Sequence, residues 1–137
     1  MKRLLHIFTA AALGVCLLAA SPSSASEKAI NWKHVSKNLV RALSSDNEGL
    51  RQSAMHFYIE NADKLDIDVA VYDVMRVYRN HKDERVRKLA LVTLYKMQNK
   101  WAMEFLKVDL RFQDSEELKK MVAAILQEYE NGKNKAS

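Results

Sequence analysis

Apolar residues recur mostly at three- and four-residue steps from Ile30 to Tyr129, the spacing that places side chains along one face of an α-helix. This periodicity predicts six helices, at roughly 30–44, 48–63, 67–80, 84–98, 100–112 and 116–131. The chain has only three Gly and one Pro, too few turn residues for a fold built from short strands. The sequence therefore predicts an all-α domain over residues 26–131.

Individual residues bear on the boundaries of the third and sixth helices. Four valines between positions 69 and 77 give the third segment some strand character. Asp66 and Asp68 favour a helix instead, because acidic side chains cap and stabilise a helix start. Gly132 is expected to end the sixth helix, and residues 132–137 are expected to form a flexible polar tail.

The first 25 residues differ from the rest of the chain. Two basic residues precede an apolar run over 4–20, and Ser23 and Ala25 then stand at the −3 and −1 positions of a small-residue cleavage site. This combination predicts a signal peptide that is cleaved before Ser26. The protein is therefore expected to be exported and to reside in the periplasm or outside the cell.

Two alternatives concern the same segment. The apolar run of 17 residues is at the lower limit for crossing a bilayer, so it could be kept as an anchor. Cys16 follows Leu13-Gly14-Val15, which loosely resembles a lipoprotein signal, but Val15 is too large for the residue before the cysteine. Cys16 is the only cysteine, so the cleaved chain would have no disulfide, thiol nucleophile or thiolate metal site.

The net charge of the chain excludes few classes of function. The whole chain carries 22 Lys and Arg against 17 Asp and Glu, a net of +5. Removal of Lys2 and Arg3 leaves 20 against 17, a net of +3. So mild a charge does not by itself predict nucleic-acid binding.

Three predicted helix starts share one pattern. Each has a capping residue, a glutamate directly after it, and a basic residue four positions after the cap. The caps are Asn47, Asp83 and Ser115; the glutamates are Glu48, Glu84 and Glu116; the basic residues are Arg51, Arg87 and Lys119. The basic position advances by 36 and then by 32 residues, a period typical of stacked helical repeats.

The best copy reads Asp-Glu-Arg-Val-Arg-Lys-Leu-Ala-Leu-Val-Thr-Leu over 83–94, and it resembles the HEAT repeat, an armadillo-type helical repeat. The resemblance covers about 30–130, although the usual proline of the first helix is absent. It implies a short right-handed α-solenoid of helical hairpins that binds partners over a broad surface, often through the second helix of each pair. Such proteins are rarely enzymes, and the family has no functional residues to carry over.

No catalytic or metal-binding motif is apparent. His34, His56 and His81 have no second ligand at metal-binding spacing. A Gly-rich phosphate loop and a G-x-S-x-G elbow are also missing. The sequence therefore predicts no enzyme activity, no cofactor and no metal.

The most suggestive charged segment is 76–88, which holds six Lys or Arg against two acidic residues. It spans the end of one predicted hairpin and the start of the next, and it could form a basic ridge for an acidic partner. The alternative is a solvated helix face, the usual role of such runs. Tyr72 lies four residues before Arg76, so the ring and the guanidinium are expected to stack.

The second-helix faces provide a further candidate surface. On the third helix Tyr72, Arg76 and Arg79 share a side, and on the fifth Lys107 and Arg111 do. The periodic apolar positions of the fifth helix are Trp101, Phe105, Leu106 and Leu110. The candidate partner-binding residues are thus Tyr72, Arg76, Arg79, Lys82, Arg85, Lys107 and Arg111.

These observations lead to two functional hypotheses. The first is a non-catalytic protein-interaction or scaffold module with an unidentified protein partner, with self-association through Trp32 or Trp101 as one form of it. The second is a binder of polyanions or anionic membrane surfaces through residues 76–88. Nucleic acid is a poor candidate partner for an exported chain.

Overall fold

The computed structural model describes residues 29–136, which contain six α-helices and no β-strand. The helices are α1 (Trp32–Leu43), α2 (Glu48–Asn61), α3 (Val71–Asn80), α4 (Glu84–Met97), α5 (Lys100–Asp109) and α6 (Glu116–Ala136). The predicted all-α class and the six predicted helices are confirmed. The predicted signal peptide, its cleavage site and the alternative membrane anchor lie outside the described residues.

The three predicted caps of the repeated helix starts are confirmed. The side chains of Asn47, Asp83 and Ser115 each accept a backbone N–H from the first turn that follows, at 3.0, 2.9 and 3.3 Å. These bonds satisfy donors that have no partner within the helix. Because a cap depends only on residues two or three positions away, it could be recognised from the sequence.

The predicted start of the third helix is wrong. The helix begins at Val71, and its N-cap, Ala70, provides no side-chain hydrogen bond. Asp66 and Asp68 precede that cap and do not serve it. The Asp68 carboxylate instead accepts a 2.8 Å hydrogen bond from the side-chain amide of Asn99. The Asp68 carboxylate, predicted to cap α3, is therefore bonded by a residue 31 positions away.

The predicted end of the sixth helix is also wrong. Helix α6 continues through Gly132 to Ala136, and no glycine of the described residues has a positive φ. A glycine ends a helix by adopting the left-handed conformation, which Gly132 does not do. The Lys133 ammonium group lies 4.4 Å from the Tyr129 ring centroid, a contact along the helix surface that stabilises the last turns.

Helix α4 is the centre of the packing. It contacts α2, α3, α5 and α6, and its contact with α3 is the most extensive between any two helices of the described region. Helix α1 packs against α2 and also contacts α3, whereas α5 packs against α6. Segment 76–88 therefore turns within the closely packed α3–α4 pair, rather than between two separate hairpins.

The core is formed by buried residues of α4 and by the residues of neighbouring helices that pack against them. Leu91 and Leu94 of α4 are fully buried, as are Tyr58 of α2 and Tyr78 of α3. The Tyr58 hydroxyl has no hydrogen-bond partner among the described residues. Burial, together with the charges of Asp66 and Asp73, raises the pKa of Tyr58 to about 12, because the charged form is poorly solvated there.

Candidate functional site

Helix α5 carries two apolar faces: one is buried in the core, and the other is largely exposed although its Phe105 packs against the core. Its buried residues are Ala102, Met103 and Leu106. A second row follows at steps of four, three and four residues: Trp101, Phe105, Val108 and Phe112. The exposed fractions are 41% for Trp101, 61% for Val108 and 74% for Phe112. These large side chains therefore form an exposed row along α5 and the turn after it.

Two side chains of α3 contact this row of α5. The Tyr72 ring, 63% exposed, lies 4.5 Å from Trp101 between ring centroids at an interplanar angle of 47°. Trp101 lies 5.9 Å from Phe105, and the Arg79 guanidinium lies 5.3 Å from the centroid of the Phe105 ring. Offset and tilted ring pairs of this kind are attractive beyond their buried area.

We call this surface the aromatic face. Its members come from α3, α5 and the turn after α5, and the ring and guanidinium contacts above join Tyr72, Trp101, Phe105 and Arg79. They are Tyr72, Arg79, Trp101, Phe105, Val108 and Phe112. Contiguous exposed apolar side chains with a charged border are typical of interaction sites, whereas single exposed apolar residues are common everywhere.

The predicted stacking of Tyr72 on Arg76 is not what the structure shows. Arg76 instead forms an ion pair with Asp73 at 2.6 Å, and Tyr72 packs against Trp101. The Asp73 carboxylate also accepts a hydrogen bond from Ser44 at 3.4 Å. Arg76 is therefore drawn along its own helix toward a carboxylate, and it does not contribute to the ring cluster.

The remaining predicted binding residues are dispersed. Lys107 bonds the carboxylates of Glu130 and Glu104 at 2.8 and 3.1 Å, and both bonds raise its pKa. Arg85 forms an ion pair with Asp83. Lys82 and Arg111 are exposed. Of the seven candidates, the structure thus brings together Tyr72 and Arg79 in the aromatic face.

The basic segment 76–88 is largely occupied by its own contacts. Arg76 bonds Asp73, Arg85 bonds Asp83, Arg87 bonds the Tyr78 carbonyl and Gln113, and Lys88 bonds Glu84 and Glu117. Arg79 covers the Phe105 ring. This pairing leaves much less free positive charge than the sequence suggests, since a bonded cation attracts an anionic ligand less strongly.

The Asp83 carboxylate is one of the acidic groups that bond the basic segment. Its carboxylate accepts hydrogen bonds from the Arg85 side chain and from the Arg85 backbone N–H. These two contacts lower the pKa of Asp83 from 3.8 to about 2, because they favour the charged carboxylate. One residue therefore caps α4 and neutralises its neighbouring arginine.

A buried polar network lies beneath the aromatic face. The Tyr78 hydroxyl donates to Asp109 at 2.7 Å and accepts from the Gln113 amide at 2.9 Å. Arg87 donates to the Tyr78 carbonyl at 2.8 Å and to Gln113 at 3.1 Å. Burial and the Asp109 contact raise the pKa of Tyr78. The network ties the ends of α3 and α5 to α4, which holds the two helices of the aromatic face together.

The described part of the chain shows no arrangement for metal chemistry. Within residues 29–136, no group of three His, Asp or Glu side chains is placed to hold a metal ion. In the same region, no helix combines the length and the apolar character required to cross a membrane.

The sequence predicts half of this face: Tyr72 and Arg79 are candidate partner-binding residues, and Trp101 is a candidate for self-association. Phe105 is predicted only as a periodic apolar position of the fifth helix, and neither Val108 nor Phe112 is predicted as a surface residue. The four-three-four spacing from Trp101 to Phe112 is visible in the sequence. What the spacing cannot tell is that a second, smaller set of residues fills the core.

Comparison with protein-family models, with curated proteins and with solved structures finds no match for this chain.

Proposed function

We propose that this chain is a non-catalytic protein-interaction module and that it binds a protein partner through the aromatic face. The observation that carries this proposal is the row of exposed large apolar side chains on α5, extended by Tyr72 and Arg79 of α3. Tyr, Trp and Arg are the residues most often found at the energetic centre of protein interfaces. Large apolar side chains that remain exposed together are typical of interaction sites.

The surroundings of the aromatic face indicate what kind of partner it would accept. The rings offer apolar area, and Arg79 places its guanidinium over Phe105. No carboxylate of the described residues forms an ion pair with Arg79 or with the nearby Arg111. A partner segment that presents apolar side chains flanked by carboxylates would match both features, since arginine binds carboxylates with paired hydrogen bonds.

We further infer that the helices form a short right-handed α-solenoid of the HEAT type. The aligned caps of α2, α4 and α6 support this arrangement, as do the contacts of α4 with both α2 and α6 and the contact of α1 with α3. In such a stack, neighbouring helices of one layer present a continuous lateral surface for binding. The aromatic face, shared by α3 and α5, would be part of that surface.

Export of the mature chain remains part of the proposal. It is supported by the charged start, the apolar run and the small residues before Ser26. A chain without cysteine after residue 25 is also compatible with an oxidising compartment, because it has no thiol to oxidise. The partner would then be a periplasmic, envelope or extracellular protein.

The test is capture of the partner by matched baits. The chain from Ser26 onward would carry a photo-crosslinking residue at position 112 and would be compared with a Trp101→Ala version and with a Lys82→Glu control. We expect one crosslinked protein, lost with Trp101→Ala and retained with Lys82→Glu. Retention with Trp101→Ala and loss with Lys82→Glu would contradict the aromatic face as the site.

The crosslinked product also separates a foreign partner from self-association. A product of twice the bait mass that contains only bait peptides would show a second copy of this chain on the aromatic face. Sedimentation of the purified chain would then give a dimer that the Trp101→Ala change disrupts.

A further inference from the structure

Two surface cavities occupy matching positions in the helical register. The first is lined by Arg51, Arg76, Val77, Asn80 and His81. The second is lined by Arg79, Arg87, Asp109, Phe112, Gln113 and Asp114. Position 51 matches 87 at the 36-residue step, and positions 77, 80 and 81 match 109, 112 and 113 at the 32-residue step. Corresponding positions of the repeat therefore line both cavities, with different side chains.

In the second cavity the arginine donates two hydrogen bonds to protein acceptors. Arg87 donates from Nε to the Tyr78 carbonyl at 2.8 Å and from Nη2 to Gln113 Oε1 at 3.1 Å. Gln113 Oε1 also accepts the backbone N–H of Ser115 at 3.4 Å. An amide oxygen has two lone pairs, so it can accept both bonds.

In the first cavity the matching arginine has no such acceptor. His81 takes the place of Gln113, and its Nδ1 accepts the backbone N–H of Asp83 at 3.0 Å, just as Gln113 accepts that of Ser115. A ring nitrogen has only one lone pair for this purpose. The other ring nitrogen, Nε2, lies 3.0 Å from a carboxylate oxygen of Glu48. Neither nitrogen is therefore available to Arg51.

Arg51 is consequently left with unused donors. Its Nε atom is buried without a hydrogen-bond partner, and no residue of the described chain bonds its guanidinium. The carbonyl of Ala42, which matches Tyr78 in the register, accepts the N–H of Ser45 and no hydrogen bond from Arg51. A buried donor without a partner is costly, and such groups in folded proteins usually have an ion or water as partner.

We propose that the Arg51 cavity is a binding site for a phosphate or sulfate group. Arg51 would donate from the terminal nitrogens of its guanidinium group, which no described residue bonds, and Arg76 and Asn80 line the same cavity and add further donors. A tetrahedral oxyanion can accept from several directions at once, and arginine is well suited to it. The cavity of about 140 Å³ exceeds the roughly 30 Å³ share of a water molecule in the liquid.

Two carboxylates lie close to this site, and both are already engaged. Asp73 bonds Arg76 at 2.6 Å, and Glu48 bonds His81. They offset part of the positive charge, so the group is held through the donors of Arg51 rather than through net charge alone. The site is separate from the aromatic face and does not depend on the proposed function.

The test follows the side-chain Nε–Hε signals of the arginines by NMR. The ¹⁵N-labelled chain from Ser26 onward would be titrated with inorganic phosphate, sulfate and glycerol phosphate, replacing chloride at constant ionic strength. We expect a saturable shift of the Arg51 signal while the internally bonded Arg87 signal stays in place. A shift with any of the three probes supports the proposal, and their relative affinities distinguish a free ion from a phosphate monoester.

Three variants make the test specific. His81→Gln should give Arg51 the acceptor that Gln113 gives Arg87, so the fold is kept and anion binding is lost. Arg76→Gln should weaken binding about five-fold, the size expected for one exposed charge. Lys82→Gln removes an exposed cation nearby and should leave binding unchanged.

Specific outcomes would overturn the proposal. It is wrong if the Arg51 signal does not move when any of the three probes replaces chloride, or if the Arg87 signal moves equally. It is also wrong if Lys82→Gln weakens binding as much as Arg76→Gln does. Should His81→Gln fail to fold, as judged by circular dichroism, the Arg76→Gln and Lys82→Gln pair still decides the question.

Discussion

The basic segment 76–88 and the aromatic face are neighbours in space, yet they use their side chains in opposite ways. The basic segment has the most conspicuous charge in the sequence, and most of that charge is bonded to the protein's own carboxylates, carbonyls and amides. The aromatic face consists mainly of large apolar side chains, and several of them are exposed; Arg79 belongs to both surfaces. Residue type is therefore a weaker guide to a binding surface than the partners that each side chain already has.

The difference has a simple physical origin. A charged side chain on a helix can find a partner three or four residues away, as Arg76 does with Asp73 and Lys88 does with Glu84. A large apolar side chain needs a surrounding core, and α5 fills its core contact with the smaller Ala102 together with Met103 and Leu106. Trp101 and Phe112 are therefore left at the surface.

The largest expected effect tests whether the charge of the basic segment is structural. Arg87→Ala removes two hydrogen bonds from a guanidinium group, and we expect a loss of about 3 kcal/mol in the free energy of unfolding. Arg85→Ala, at a side chain that is 88% exposed, should change the free energy of unfolding little. Urea unfolding of both variants measures this, and equal losses would show that the two arginines do not differ in role.

The next effect concerns the aromatic face. Trp101→Ala should weaken binding of the captured partner by about 2 kcal/mol, or roughly 30-fold, as expected for an interface centre. Titration calorimetry measures the affinity. Lys82→Glu is the control from the basic segment and should change it little. If Lys82→Glu weakened binding more than Trp101→Ala did, the basic segment and not the aromatic face would be the binding surface.

A third prediction separates two buried tyrosines. Tyr78→Phe leaves Asp109 and Gln113 without their shared partner, so we expect a loss of about 1–2 kcal/mol in stability. The Tyr58 hydroxyl has no partner among the described residues, so Tyr58→Phe should be neutral or slightly stabilising. Thermal unfolding of the two variants compares them directly. A larger loss for Tyr58→Phe would mean that the polar network beneath the aromatic face contributes little.

The smallest effect is a pH dependence of the basic segment. The folded-state pKa of Asp83 is lowered to about 2, below the usual value of 3.8. Its stabilising contribution is therefore complete above the usual value and is lost as the pH falls through the folded-state pKa. Urea unfolding at pH 5 and pH 2 should show a larger loss for the natural chain than for Asp83→Asn, whose side chain can still cap α4 but does not titrate. Identical losses would show that the carboxylate is not stabilised in this way.

Local information was sufficient for much of the fold. The six helices follow from the spacing of apolar residues, and the caps at Asn47, Asp83 and Ser115 depend on atoms two or three residues away. The wrong helix boundaries are those that depend on a distant residue or on the absence of a turn. Asp68 bonds Asn99 rather than capping α3, and Gly132 stays helical because nothing forces a left-handed turn there.

The sequence alone determined that this protein is helical, where most helices begin, and that one pattern of caps recurs. Only the tertiary structure decided which apolar row of α5 is buried, since that depends on the space left by α4 and α6. It also decided that Arg87 is satisfied while Arg51 is not. That difference arises because Gln113 offers two lone pairs and His81 offers one that is already used.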